Sequence, residues 1–137
     1  MAVVAELLRA EDDKTISFGN HQLSQKAKLE DFSFEGDLYK VKTFQTMTKL
    51  EKNGMFLYES VPGTSVFHME ETNEGISFSV EGEEDTQITV GLKDETEYEV
   101  FVSGESAGKM RTGLGGKLSL SVELSGMGEV AVKVVEA

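Results

Sequence analysis

The chain has 137 residues, one proline and no cysteine, which is enough for one compact domain or two very small ones. This length excludes a TIM barrel, a full β-propeller and a standard α/β-hydrolase, and the lack of cysteine excludes disulfides and thiol chemistry. The formal net charge of −12, from 13 basic and 25 acidic residues, argues against nucleic acid and anionic membranes as partners. Both are bound largely through lysine and arginine.

Residues 1–9 do not have the pattern of a signal peptide. No basic residue precedes their short apolar stretch, and Glu6 interrupts it. Nowhere does the chain approach the roughly 18 apolar residues that a membrane helix needs. We therefore expect a cytoplasmic protein, with export by a route without a signal peptide as the alternative.

Residues 20–31 are the stretch with a helical alternative. They contain good helix formers, but their apolar residues are Leu23, Ala27 and Leu29, which support one or two turns at most. Further along, Asn53 and Gly54 stand between two apolar runs and predict a hairpin, since a type I′ turn needs positive φ at both central residues.

Alternation of apolar and polar residues dominates the rest of the chain. It predicts half-buried strands at 76–81, 87–92, 96–102 and 117–124. In 96–102, Tyr98, Val100 and Val102 should face a core and Glu97 and Glu99 the solvent. Turn-forming residues recur about every 8 to 12 positions, as in an all-β sandwich or barrel.

The predicted fold is therefore all-β, an antiparallel β-sandwich-like domain of roughly ten short strands. We expect residues 1–137 to form a single domain. If the chain divides into two lobes, the break should fall between residues 53 and 63.

Two glycine motifs suggest chemistry that their surroundings do not support. Gly104–Gly108 has the Gly-x-Ser-x-Gly pattern of a nucleophile elbow around Ser106, but a glycine-rich turn and a strand follow it where a helix is required. Both histidines also precede Ser106, whereas that fold needs one after it. Gly113–Lys117 lacks the spacing of a phosphate-binding loop and precedes a strand. Ordinary turns explain both motifs.

His21 and His68 are the two histidines, and a metal site would need carboxylates to converge on one of them. Glu70 and Glu71 are the local candidates near His68. Alternation places Val66, His68 and Glu70 on one strand face, which we interpret as a solvated or partner-facing face rather than a metal site.

The acidic residues are unevenly distributed. Residues 70–99 contain eleven acids and one base, Lys93, whereas residues 20–52 contain six lysines and five acids. Such asymmetry can steer association, and it also favours solubility and protects sheet edges. Glu97 and Glu99 share a strand face as glycosidase carboxylates would, but acids are too abundant for this pair to be diagnostic. Residues 81–85 could gather carboxylates around Ca²⁺, although their spacing matches no EF-hand loop.

Residues 92–98 resemble the Leu-x-Pro-x-Thr-x-Tyr signature of fibronectin type III and immunoglobulin-like sandwiches. Leu92, Thr96 and Tyr98 match, Asp94 replaces the proline, and the chain has no tryptophan. The resemblance implies an immunoglobulin-like C-terminal part in which the hydroxyl of Tyr98 bonds back to the backbone at a strand corner.

A second resemblance covers most of the chain. It is similar to small bacterial proteins often automatically named endosialidase, at Lys40–Phe44, Lys49–Gly54, Val61–Gly63 and Gly116–Leu120. That name implies hydrolysis of polysialic acid. Sialidases hold the substrate carboxylate with three arginines, and this chain has Arg9 and Arg111 alone. The resemblance therefore carries the family and not the activity.

No catalytic set converges in this sequence, so we expect no catalytic, cofactor-binding or metal-binding residues and no cofactor. We predict a non-enzymatic interaction or structural module that binds a protein partner or associates with itself. The alternative is a carbohydrate-related protein, which binds a glycan or has the glycosidase activity implied by the name. Glycan binding without tryptophan would need Tyr39 and Tyr58 to be exposed and close together.

Overall fold

The computed structural model describes residues 2–137; Met1, the first residue of the predicted domain, lies outside the described part. The described residues form thirteen strands and no helix. The strands are β1 (Leu8–Ala10), β2 (Ile16–Phe18), β3 (Ala27–Phe34), β4 (Asp37–Thr43), β5 (Thr48–Lys52), β6 (Met55–Val61), β7 (Ser65–Thr72), β8 (Gly75–Glu81), β9 (Thr86–Gly91), β10 (Glu97–Val102), β11 (Glu105–Arg111), β12 (Lys117–Val122) and β13 (Val130–Glu136).

The strands form two sheets packed face to face, and every pairing is antiparallel. The seven-stranded sheet has the order β1-β2-β7-β8-β13-β10-β11, and the six-stranded sheet has the order β12-β9-β6-β5-β4-β3. The predicted all-β, antiparallel sandwich is therefore confirmed. Because the described residues contain no helix, none of them forms a helix that could cross a membrane.

The core lies between the sheets and contains the inward-facing apolar residues of both. At its centre, the ring of Tyr58 meets the rings of Phe18 and Phe78 edge to face, with centroids 5.2 Å and 5.5 Å away. Tyr58 and Phe18 are fully buried. Such aromatic contacts add to the free energy gained by burying apolar surface.

The predicted turn at Asn53 and Gly54 is confirmed. Their φ angles are 53° and 78°, as a type I′ turn requires, and Lys52 pairs with Met55 across the two-residue loop. The strand that follows, β6, occupies most of residues 53–63, the segment in which a division into two lobes would fall. It pairs with both β5 and β9 inside the six-stranded sheet.

The predicted strand faces hold for β10 and β12. Tyr98 and Val100 are buried, Glu97 is exposed, and burial alternates strictly along β12. The helical alternative in residues 20–31 is not realised, since Ala27–Phe34 is strand β3 and pairs with β4.

The expected number of strands was too low. Among the thirteen strands are β1 and β2, which have three residues each, and β11, whose sequence does not alternate. Pairing with their neighbours in the sheet forms these strands, because their own sequences are too short or too polar to predict them.

Candidate interaction surface

Each sheet ends in two strands that are paired on one side. In the described part of the chain these edges are β1 and β11 of the seven-stranded sheet and β3 and β12 of the six-stranded sheet. An unpaired edge presents backbone N–H and C=O groups that readily bind another strand. Proteins usually protect such an edge by shortening it, by a bulge or by charged side chains.

Three of these edges carry such protection. β1 has three residues, the pairing of β3 shifts register around Asp31, and that of β11 shifts near Gly108. β12 instead pairs with β9 in unbroken register over Lys117–Val122. Its one charged residue is the first of the strand. Among the four described edges, β12 is therefore the least protected.

In β12, the backbone N–H and C=O groups of every second residue point toward the open side of the strand. Leu92 N–H donates to the carbonyl of Gly116 at 2.8 Å, which makes this position a hydrogen-bonded pair of the β9–β12 ladder. In an antiparallel ladder such pairs alternate with pairs whose backbone groups point away. The outward-pointing residues of β12 are therefore Lys117, Ser119 and Ser121. We call their backbone groups the β12 edge.

The side chains on the solvent face of β12 lean toward its own sheet and leave the β12 edge uncovered. Lys117 Nζ lies 4.5 Å from the ring centroid of Phe56, and the hydroxyls of Ser119 and Ser121 lie 2.8 Å from oxygens of Thr89 and Gln87. These contacts link the solvent-facing side chains of β12 to β6 and β9.

Exposed apolar side chains stand in the loops at both ends of β12. Leu114, before the strand, is 85% exposed, and Met127, after it, is 57% exposed. The second loop is held by Asp85, whose carboxylate accepts hydrogen bonds from the backbone N–H groups of Leu124 and Ser125. Large exposed apolar side chains at the ends of an open edge can add apolar burial to the binding of a strand.

Strand β11, which leads into β12 through residues 112–116, is an edge of the seven-stranded sheet. All its side chains except that of Met110 are exposed, on both faces of the strand. A Cβ atom placed on Gly108 would meet nothing within 4 Å. The space around Gly108 is therefore open.

A second surface feature is a groove on the solvent face of the seven-stranded sheet. Its volume is about 500 Å³, within the range of small-molecule sites. We call it the outer-face groove. Its side walls and floor include His68, Ser77, Ser79, Phe101 and Lys133. No carboxylate lines it.

The prediction that Val66, His68 and Glu70 share one strand face is wrong. Val66 is fully buried, whereas His68 and Glu70 are exposed. The pairing of β7 with β8 shifts register after Phe67, and His68 adopts a φ of 54°. Such a bulge inserts one residue and moves the following side chains to the opposite face.

His68 contacts the loop between β1 and β2. Its Nδ1 lies 2.9 Å from Asp13 Oδ2 and 3.0 Å from Thr15 Oγ1. The pKa of the Asp13 carboxyl is lowered chiefly because the Thr15 hydroxyl donates a hydrogen bond to Asp13 Oδ1, and the contact with His68 lowers it further. Glu70 and Glu71 do not join His68 in a metal site, and residues 2–137 contain no group of three or more suitable ligands.

His21 is buried beside the start of β7. Its Nδ1 lies 2.7 Å from Ser65 Oγ, and its Nε2 has no hydrogen-bond partner among the described residues. Burial lowers the pKa of His21 because it disfavours the imidazolium, and the charges of Glu83 and Glu81 oppose this effect in part. Burial therefore favours the neutral form of the ring.

Buried hydroxyl groups lie close to His21. Thr64 Oγ1 is 2.8 Å from the hydroxyls of both Tyr58 and Ser60, and Thr48 Oγ1 donates to the Thr64 carbonyl at 2.8 Å. All four residues are fully buried. Burial raises the pKa of Tyr58 well above its ordinary value, so this network is uncharged.

The first glycine motif begins at a turn and continues as strand β11 from Glu105, whereas the second forms the turn before β12. Ser106 lies in β11, where its hydroxyl donates to Glu99 Oε2 at 2.8 Å. Residues 113–116 connect β11 to β12, and a Cβ on Gly116 would lie 2.0 Å from the carbonyl oxygen of Leu92. Neither motif precedes a helix in the described structure.

The tyrosines are buried. Tyr39 and Tyr58 are 5% and 0% exposed, so they do not form the exposed pair that glycan binding was expected to need. The hydroxyl of Tyr98 accepts a hydrogen bond from Lys93 N–H at 3.1 Å. This contact links Tyr98 to the preceding loop, while the immunoglobulin-like assignment stays a prediction.

The acids of residues 81–85 are engaged separately. Glu81 accepts a hydrogen bond from the backbone of Ala2, whereas Asp85 holds the loop after β12. In the lysine-rich segment, Lys28 lies 2.9 Å from Glu30 and lowers the pKa of that carboxyl. Lys52 pairs with Glu71 and so connects the two regions of opposite charge.

Comparison with protein-family models, curated proteins and solved structures found no match for this chain. The resemblance to the small bacterial proteins named endosialidase therefore stays a prediction.

The sequence did predict Ser119 and Ser121 as solvent-facing strand residues. No local signal marked β12 as an edge.

Proposed function

We propose that this protein is a non-enzymatic interaction module that binds a protein partner through the β12 edge. The observation that carries the proposal is the unprotected backbone of β12, whose outward groups have no partner among residues 2–137. An extended segment of a partner would add to the six-stranded sheet by backbone hydrogen bonds.

The non-enzymatic part of the proposal is supported by how the nucleophile and the two potential bases are engaged. Ser106 contacts Glu99, His68 contacts Asp13, and His21 contacts Ser65. No two of these three residues bond to each other. A nucleophile and its base have to lie within hydrogen-bonding reach of one another.

The β12 edge can provide a moderate affinity. Three outward residues offer about six backbone hydrogen bonds, each worth about 1 kcal/mol net. Ordering an extended partner offsets much of this gain. Contacts with Leu114 and Met127 add burial of apolar surface at both ends. We therefore expect a micromolar, reversible interaction.

The test is a proline substitution at an outward position. Ser119→Pro removes an outward N–H and leaves the bonds to β9, and proline is tolerated on edge strands for this reason. Ser119→Ala is the matched control, because it removes the same hydroxyl and keeps the N–H. Random peptides displayed on phage should be enriched on the wild type and on Ser119→Ala and lost from Ser119→Pro. Equal binding by Ser119→Pro would contradict the proposal.

A second candidate function is glycan binding in the outer-face groove. Phe101 is half-buried there and could pack against a sugar ring, while Ser77 and Ser79 supply hydroxyl groups. This candidate predicts that saccharides shift the amide resonances of these residues and that Phe101→Ala abolishes the shifts. No shift across a panel of neutral and acidic sugars would remove it.

A further inference from the structure

The arrangement of the two sheets limits what can occupy the space beside β12. β1, at one edge of the seven-stranded sheet, contacts β3, at one edge of the six-stranded sheet. Counted from these two strands, β10 is the sixth strand of the first sheet and β12 is the sixth strand of the second. Tyr98 and Val100 of β10 and Leu118 and Leu120 of β12 all point into the core between the sheets. By this count β11 is the seventh strand, one more than the six-stranded sheet has.

We infer that the β12 edge binds a single extended segment of another protein, which becomes the missing seventh strand of the smaller sheet. This inference rests on the proposed function and specifies the partner. The segment would pair with β12 on one side and lie beneath β11, where the space around Gly108 is open.

A second copy of this protein does not fit the site in the same way. Suppose that β12 of a second copy pairs edge to edge with β12 of the first, with the copies related by an axis perpendicular to the sheet. In that dimer, β10 of the second copy would lie opposite β12 of the second copy. This is the space that β11 of the first copy occupies. A lone strand has no second layer and avoids this overlap.

The residues around the site predict the chemistry of the segment. The side chains that point inward should be apolar, because they meet the inner face of β11 at half-buried Met110. The side chains that point outward lie next to Lys117, Ser119, Ser121 and Glu123. In an antiparallel segment, the first residue lies next to Glu123 and the last residue lies next to Lys117. A basic first residue and an acidic last residue therefore place opposite charges next to each other.

Two synthetic peptides test this inference. Lys-Val-Thr-Val-Thr-Val-Glu has the predicted polarity, and Glu-Val-Thr-Val-Thr-Val-Lys has the same composition in reverse. The first should bind the full-length protein about tenfold more tightly, a difference of about 1.4 kcal/mol. The double variant K117E/E123K should prefer the second peptide. Amide resonances of the outward residues of β12 should shift on binding.

The oligomeric state separates this inference from the proposed function. Light scattering should give the mass of a monomer at low and high salt, for the wild type and for Ser119→Pro. A dimer that Ser119→Pro dissociates would overturn the inference, because a second copy then occupies the edge, and would leave the proposed function standing. Equal binding of both peptides by the wild type would also overturn it. Peptides that bind equally to Ser119→Pro would overturn both.

Discussion

The buried hydroxyl of Tyr58 provides a sharp test of the energetics of this fold. Tyr58→Phe removes the group that lies 2.8 Å from Thr64 Oγ1, in a part of the core with no exposure to solvent. Thr64 Oγ1 keeps its contact with Ser60, so its hydrogen-bonding capacity is lost only in part. We expect the free energy of unfolding to fall by about 1–2 kcal/mol.

Tyr39→Phe is the matched control for this substitution. Tyr39 is also buried, but its hydroxyl has no hydrogen-bond partner among the described residues, so the change should be below about 0.5 kcal/mol. Urea denaturation followed by circular dichroism measures both variants, and the shift in midpoint multiplied by the slope gives the change in stability. If the two substitutions have equal effects, the hydroxyl network around Tyr58 does not stabilise the protein.

Three further predictions follow from the site and its surroundings. Because burial lowers the pKa of His21, the folded state binds its proton less readily than the unfolded state; stability should therefore fall as pH drops below about 6.5, and His21→Gln should flatten a series of urea curves in that range. Gly116→Ala places a Cβ 2.0 Å from the carbonyl of Leu92 at a φ of 71° and should lower the melting temperature by several degrees, whereas Gly36→Ala, in open space at a φ of 82°, should cost less. Hydrogen exchange in the free protein should be fast at the amide of Ser119 and slow at that of Leu120; similar rates would contradict the assigned backbone alternation.

Much of the fold could be predicted because its long strands alternate. Residues 117–122 place Leu118, Leu120 and Val122 in the core and their polar neighbours in solvent, as the pattern indicates. Asn53 and Gly54 likewise encode their turn directly, since the two residue types tolerate positive φ. Both features depend on neighbouring residues alone, so they can be predicted without knowing the rest of the fold.

The interaction surface could not be predicted because its features are not local. β12 is an edge because the chain after it returns to the other sheet, where β13 pairs between β8 and β10. β11 is exposed on both faces at the edge of the sheet that has one strand more than the other. The shared face of Val66, His68 and Glu70 was predicted wrongly for a related reason, since a single bulge reverses an alternation that otherwise holds along β7.

The most direct test of the central claim compares the affinity of the peptide Lys-Val-Thr-Val-Thr-Val-Glu for the wild type, Ser119→Ala and Ser119→Pro. Thermal melts of the three proteins should first show that each is folded. The account predicts equal affinity for the first two and a loss of about tenfold or more for Ser119→Pro, because that variant lacks one outward N–H and excludes a close-lying strand. Equal affinity for all three proteins would show that the β12 edge is not the binding surface.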